Sequence, residues 1–139
     1  MSTQAKTAAI RPMVTIHTLL LINGILTAVY AVILLFMPET FFFELRGIHT
    51  DAYAIFMARL MGLSQIGYAV LSIAASKLQN GETVRLVTIV NFITWTLGLI
   101  VLLVGKLTLE MNALVWMDIA FAVIFSVAFA YHVFSKPKS

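Results

Sequence analysis

Residues 14–37 read VTIHTLLLINGILTAVYAVILLFM, a run without a single Asp, Glu, Lys or Arg. As a helix rising about 1.5 Å per residue it extends about 36 Å, enough to cross the hydrocarbon layer of a bilayer with some tilt. Pro38 follows it and removes a backbone donor, so the helix stops there. A spanning strand would need only about 10 residues with alternating polarity, and this run has neither that length nor that pattern.

Three further runs repeat the theme. We expect spans over 53–76, 84–104 and 112–134, giving an all-α, polytopic integral membrane protein: a four-transmembrane-helix bundle. It forms one membrane domain over 1–139, with an N-terminal segment 1–13 and a tail 135–139. Asp51 is placed to cap the second helix, Asn80-Gly81 to stop the chain after it, and Gly105 to mark the end of the third. The positive stretch ahead of the first run resembles a secretory leader. Its apolar segment is long for a leader core, however, and Pro38-Glu39 follow without a small-residue cleavage site, so we read it as a retained helix.

The composition agrees. Of 139 residues, 61% are hydrophobic and 11% charged, where a soluble domain carries about 25% charged residues. The mean hydropathy is +1.00. The absence of cysteine excludes disulfides, thiolate metal sites and thiol catalysis. The net charge of +3 forms no stripe of the kind that binds nucleic acid. Lys6, Arg11, Lys77, Arg85, Lys136 and Lys138 lie on one side of the expected spans, against Arg46 and Lys106 on the other. This bias predicts both termini in the cytoplasm, and we expect a bacterial inner membrane. Between the first two spans, Phe41, Phe42 and Phe43 sit among Glu39, Glu44, Arg46 and His49, which suits a short interfacial segment, as an anchor or as a lid.

Small and polar residues mark where helices meet in lipid. Ala58, Gly62, Gln65, Ala69, Ser72 and Ser76 recur at alternating four and three spacings, as do Thr88, Asn91, Trp95, Gly98, Leu102 and Gly105. Ala58, Gly62, Ala69, Ser72 and Gly98 are therefore the expected packing positions. Asn23, Gln65, Asn91 and Trp95 form a candidate midplane polar cluster, with Tyr30 and Tyr68 in reach. It either binds the carbonyl of a quinone or another lipophile or joins helices by mutual hydrogen bonds. Arg59 and Asp118, each six positions into its expected span, are a candidate intramembrane ion pair. A lone charge at such a depth costs about 3 kcal/mol on insertion scales. The alternatives are an interhelical clamp, an Arg59 that snorkels to the interface, and a proton or anion site. His17 and His132 lie near one set of helix ends, as interfacial histidines or as ligands of haem or a metal.

Phe36-Met37-Pro38-Glu39, a Phe-rich connection to Gly47, then Ala58-Arg59-Leu60-Met61-Gly62 with Gly67-Tyr68 beyond, resembles the DoxX-like group of small bacterial four-helix membrane proteins over about residues 20–76. The resemblance implies a four-helix bundle with an arginine early in the second helix, here Arg59. It also implies, for some members, a place as membrane subunit of quinone-linked oxidoreductase systems.

No motif assigns a catalytic residue, a cofactor or a metal, and no phosphate loop, Gly-x-Ser-x-Gly elbow or His-Glu-x-x-His pair is present. The leading expectation is a non-catalytic accessory subunit packing against protein partners in the membrane, or against copies of itself. A quinone-linked or lipophile-modifying enzyme is the first alternative, and a proton or small-solute pathway the second.

Overall fold

The computed structural model describes residues 14–135, and the described chain is helical without strands. Helix α1 spans Ile16–Phe36, α2 Ala52–Ala75, α3 Gly81–Thr108 and α4 Val115–Phe134. All four are long and apolar enough to cross a membrane. The expected segment 1–13, and all of the expected tail 135–139 but Ser135, lie outside the described residues.

Side chains set the helix starts. The Thr15 hydroxyl accepts from Thr18 N at 3.3 Å and begins α1. The Asp51 carboxylate accepts from Ala54 N at 2.8 Å and begins α2. Asn80 does not close α2 but opens α3, its Oδ1 accepting from Glu82 N and Thr83 N at 3.0 and 3.2 Å. An Asn-Gly pair serves either end of a helix, and here the orphan donors ahead of it decide. Gly105 does not end α3, which runs on to Thr108; a glycine inside a long apolar run costs only about 1 kcal/mol, less than uncovering the carbonyls of another turn in lipid.

The connection after α1 is a turn of wide π-type helix, Pro38–Phe43, followed by a tight 3-10 turn, Glu44–Arg46. Gly47 then turns the chain at φ 69°, a conformation that costs a side-chain-bearing residue about 1–2 kcal/mol. From that bend Asn112, between α3 and α4, ties the two connections together: its N–H donates to Arg46 O at 3.0 Å and its Nδ2 to Leu45 O at 2.6 Å.

Packing is uneven. α1 lies closely along α2 and α3 along α4, whereas α2 and α3 touch little. Within α1 and α2, Ala31, Ala58 and Ala69 are buried. A Cβ on Gly24 would stand 2.6 Å from Ile73 Cγ1 and 3.0 Å from Ala69 O, and one on Gly62 would stand 3.1 Å from Ala31 O. These are the close backbone approaches by which helices associate in lipid. At the end where α1 begins and α4 finishes, Leu19, Leu20, Ala75, Val84, Val87 and Phe129 close the bundle across all four helices. Burial reaches 39% of the apolar window of α1 but only 17% of those of α2 and α3, so α1 is the most enclosed helix and α2 and α3 present broad faces outward.

Candidate functional site

Near the middle of α1, the Asn23 amide is fully buried and reaches two other helices. Its Nδ2 donates to Asn91 Oδ1 at 2.6 Å and to Ser72 Oγ at 3.3 Å. Trp95 Nε1 donates back to Asn23 Oδ1 at 2.8 Å. Asn91, equally buried, also accepts from the Tyr68 hydroxyl at 2.7 Å and donates to Val87 O at 2.8 Å and Ser72 Oγ at 3.4 Å. The Trp95 ring stacks on Phe125 with centroids 4.7 Å apart, which brings α4 into the same unit.

Periodicity explains the convergence. Asn91 and Trp95 are four apart on α3, Tyr68 and Ser72 four apart on α2, so each pair stands on one helix face. Of the expected cluster, the structure brings Asn23, Asn91 and Trp95 together. Gln65 is half-buried and takes no part in the bonding, while Tyr68 and Ser72 supply the α2 side. Ser72 is a hydroxyl that the sequence marks for close packing; the same face position makes it an acceptor for two amides.

A side-chain amide offers two N–H donors and an oxygen with two lone pairs. Asn91 uses all four capacities and Asn23 three. An incoming carbonyl or hydroxyl would have to break an existing bond, and a donor or acceptor left unpaired in a buried place costs about 1–3 kcal/mol. The geometry therefore suits a lock between the two hairpins rather than a vacant binding pocket.

The second polar centre corrects an expectation. Asp118 pairs with Arg46, not with Arg59: Arg46 Nε lies 2.7 Å from Asp118 Oδ2 and Nη2 2.9 Å from Oδ1, a bidentate fork. Arg46 Nη1 also donates to Phe41 O and Phe42 O at 2.8 and 3.0 Å, and the guanidinium sits 4.9 Å from the Phe42 ring centroid. The start of α4 and the course of the chain before Gly47 explain the difference. Because α4 begins at Val115, Asp118 stands in its first turn, where a carboxylate complements the helix dipole. The turns over Pro38–Arg46, tied to Asn112 through Arg46 O and Leu45 O, hold Arg46 beside that helix start. Arg59 is exposed on α2, on the side away from Ser72 by helical phase, and its side chain leans toward the N-terminal end of the helix, the direction in which arginine snorkels.

Arg46→Gln is expected to destabilise the protein by about 1–3 kcal/mol, since it leaves a partly buried carboxylate unpaired. Arg46→Lys should recover little of this, because an ammonium cannot form the fork. Arg59→Gln should change stability by less than about 0.5 kcal/mol. Thermal unfolding in one mild detergent ranks the three.

The packing positions divide. Ala58, Gly62, Ala69 and Ser72 are buried. Gly98 is not closely packed: a Cβ added there meets nothing within 4 Å. Residues seven apart share a helix face, so Gly98 continues the face that Asn91 buries. On α2, Met61 stands seven before Tyr68 and is 48% exposed. Both facing helices thus open toward the Arg46 end, beside a cleft of about 480 Å³ bounded by Phe42, Phe43, Met57 and Met61.

His17 and His132 line a common pocket at the opposite end. Among the described residues no three His, Asp or Glu side chains gather as a metal site would require. Comparisons with family models, with curated proteins and with solved structures give no match.

Proposed function

We propose that this chain is a non-catalytic membrane subunit whose α2 and α3 faces receive a transmembrane segment of a protein partner. The observation that carries the reading is the contrast between two stretches of one helix face. At Asn91 it is fully buried in a bonded network, and one heptad on, at Gly98, it is half-buried with room for a side chain, since an added Cβ meets nothing within 4 Å. A glycine face in lipid is where another backbone can approach closely, and Gln65, outside the network, offers a side-chain amide nearby. The saturated amides support a structural role for the polar centre and speak against chemistry there.

The test is purification from native membranes in mild detergent. A partner chain, or a second copy, should be recovered in fixed stoichiometry and lost on Gly98→Leu, with unfolding of the lone chain unchanged. A clean monomer, or a particle indifferent to Gly98→Leu, would contradict the reading.

A second reading, a lipophile-binding or quinone-linked subunit, is favoured by the aromatic and methionine-lined cleft at Phe42, Phe43, Met57 and Met61, and by the resemblance to the DoxX-like group. A retained small lipophile in the native particle, displaced by Met61→Trp, would select it. We also propose the orientation with both termini in the cytoplasm of a bacterial inner membrane, on the distribution of Lys and Arg. Reporter tags at the two ends giving opposite compartments would overturn it.

A further inference from the structure

Where α1 and α3 begin and α4 ends, a pocket of about 620 Å³ is lined by His17, Gln79, Arg85 and His132, with Ile16, Val84 and Phe134 among its apolar walls. We infer that it is a binding site for the phosphate-containing headgroup of an anionic phospholipid.

Charge is the first argument. No acidic side chain lines the pocket among the described residues, and Arg85 joins no salt bridge among them. A guanidinium matches a phosphate with two parallel hydrogen bonds, stronger than neutral ones. In sequence, residues 1–13 and 136–139 hold Lys6, Arg11, Lys136 and Lys138 and no acidic side chain. Among the described residues this end carries Lys77 and Arg85 against one acidic residue, Glu82, in the first turn of α3.

The second argument is the histidine. His17 Nδ1 lies 3.0 Å from Ser76 O. A carbonyl oxygen only accepts, so Nδ1 carries the proton and the ring is fixed against the end of α2. Nε2 is then left free to accept from a headgroup hydroxyl.

Place distinguishes a lipid from a free anion. The pocket lies where three membrane-long helices end, at headgroup level, and basic pockets between transmembrane helices at that level take anionic headgroups. Val84 is 6% exposed at its wall while Phe134, 73% exposed, stands beside it. A lipid can lay its glycerol and first methylenes along such apolar surface; inorganic phosphate gains nothing from it.

The test uses the full chain alone, delipidated in a neutral detergent, so it is independent of any partner. Thermal unfolding is followed during titration with phosphatidylglycerol, phosphatidylcholine or inorganic phosphate. Phosphatidylglycerol should raise the midpoint saturably and phosphatidylcholine should not, since a ligand that binds only the folded state stabilises it. Arg85→Gln should weaken the apparent affinity about tenfold, the loss of one charge-assisted contact, with Arg59→Gln unaffected. Native mass spectrometry of the wild-type chain from mixed micelles should show preferential retention of the anionic lipid, which keeps the test valid should Arg85→Gln not fold. Equal stabilisation by both lipids, an Arg85→Gln protein that titrates as wild type, or an equal shift from inorganic phosphate alone would each overturn the proposal.

Discussion

Asn91→Leu is expected to lower the unfolding free energy in detergent by about 2–3 kcal/mol. The change removes both donors and the doubly accepting oxygen. Tyr68 OH and one N–H of Asn23 then face leucine instead of Asn91 Oδ1, to which they donate at 2.7 and 2.6 Å. Single interhelical hydrogen bonds in membrane proteins contribute about 0.6 kcal/mol on average. The expected effect exceeds that because several partners lose their bond together. The pairing has a sharper signature in a double-mutant cycle. Asn23→Leu with Asn91→Leu should cost less than the sum of the two singles, since removing both amides leaves fewer orphaned groups than removing either alone. Strict additivity would mean that the amides do not bond each other.

Gly24→Ala is expected to be of similar size for an unrelated reason. The added methyl would meet Ile73 Cγ1 at 2.6 Å, and that side chain can turn away. It would also meet Ala69 O and Ile73 N at 3.0 Å each, and those can move only if α2 moves. Overpacking of this kind costs about 1–3 kcal/mol, and the displacement would also strain the Asn23 to Ser72 bond one residue away along α1. Gly98→Ala is the control. With nothing within 4 Å of the new Cβ, it should leave the lone chain unchanged or slightly more stable, because alanine is the better helix former. Chemical unfolding of the three proteins in the same detergent separates a steric effect from a general intolerance of alanine.

The helices were legible because their signal is physical and local: uninterrupted apolar length. The three-and-four spacing of Ala58, Gly62, Ala69 and Ser72 marks a face of α2 for close approach but leaves open whether α3 or α1 supplies the other backbone; the structure gives that place to α1. Asn23, Asn91 and Trp95 could be singled out because polar groups in lipid must find partners. The identity of the partner was not legible. Gln65 carries the same amide as Asn91 and stands in the same seam as Ser72, yet the opening of α2 away from α3 leaves it out of the network. That opening is set by all four helices together. Arg59 and Asp118 mark the other limit. Their matched depth depended on the assumed start of α4, and a shift from Asn112 to Val115 moves Asp118 by about 4.5 Å along the axis, to the interface. The Arg46 partner is not legible because its position beside Asp118 follows from the π-type and 3-10 turns over Pro38–Arg46 and their hydrogen bonds to Asn112, tertiary contacts that residue type alone does not encode.

One measurement bears most directly on the claim that lipid surrounds these four helices. Membranes from cells making the chain are washed at alkaline pH, which strips peripheral proteins, and the pellet is then extracted with and without detergent. The protein should stay in the pellet through the wash and enter solution only with detergent. A folded, helical monomer in the aqueous wash would contradict the account.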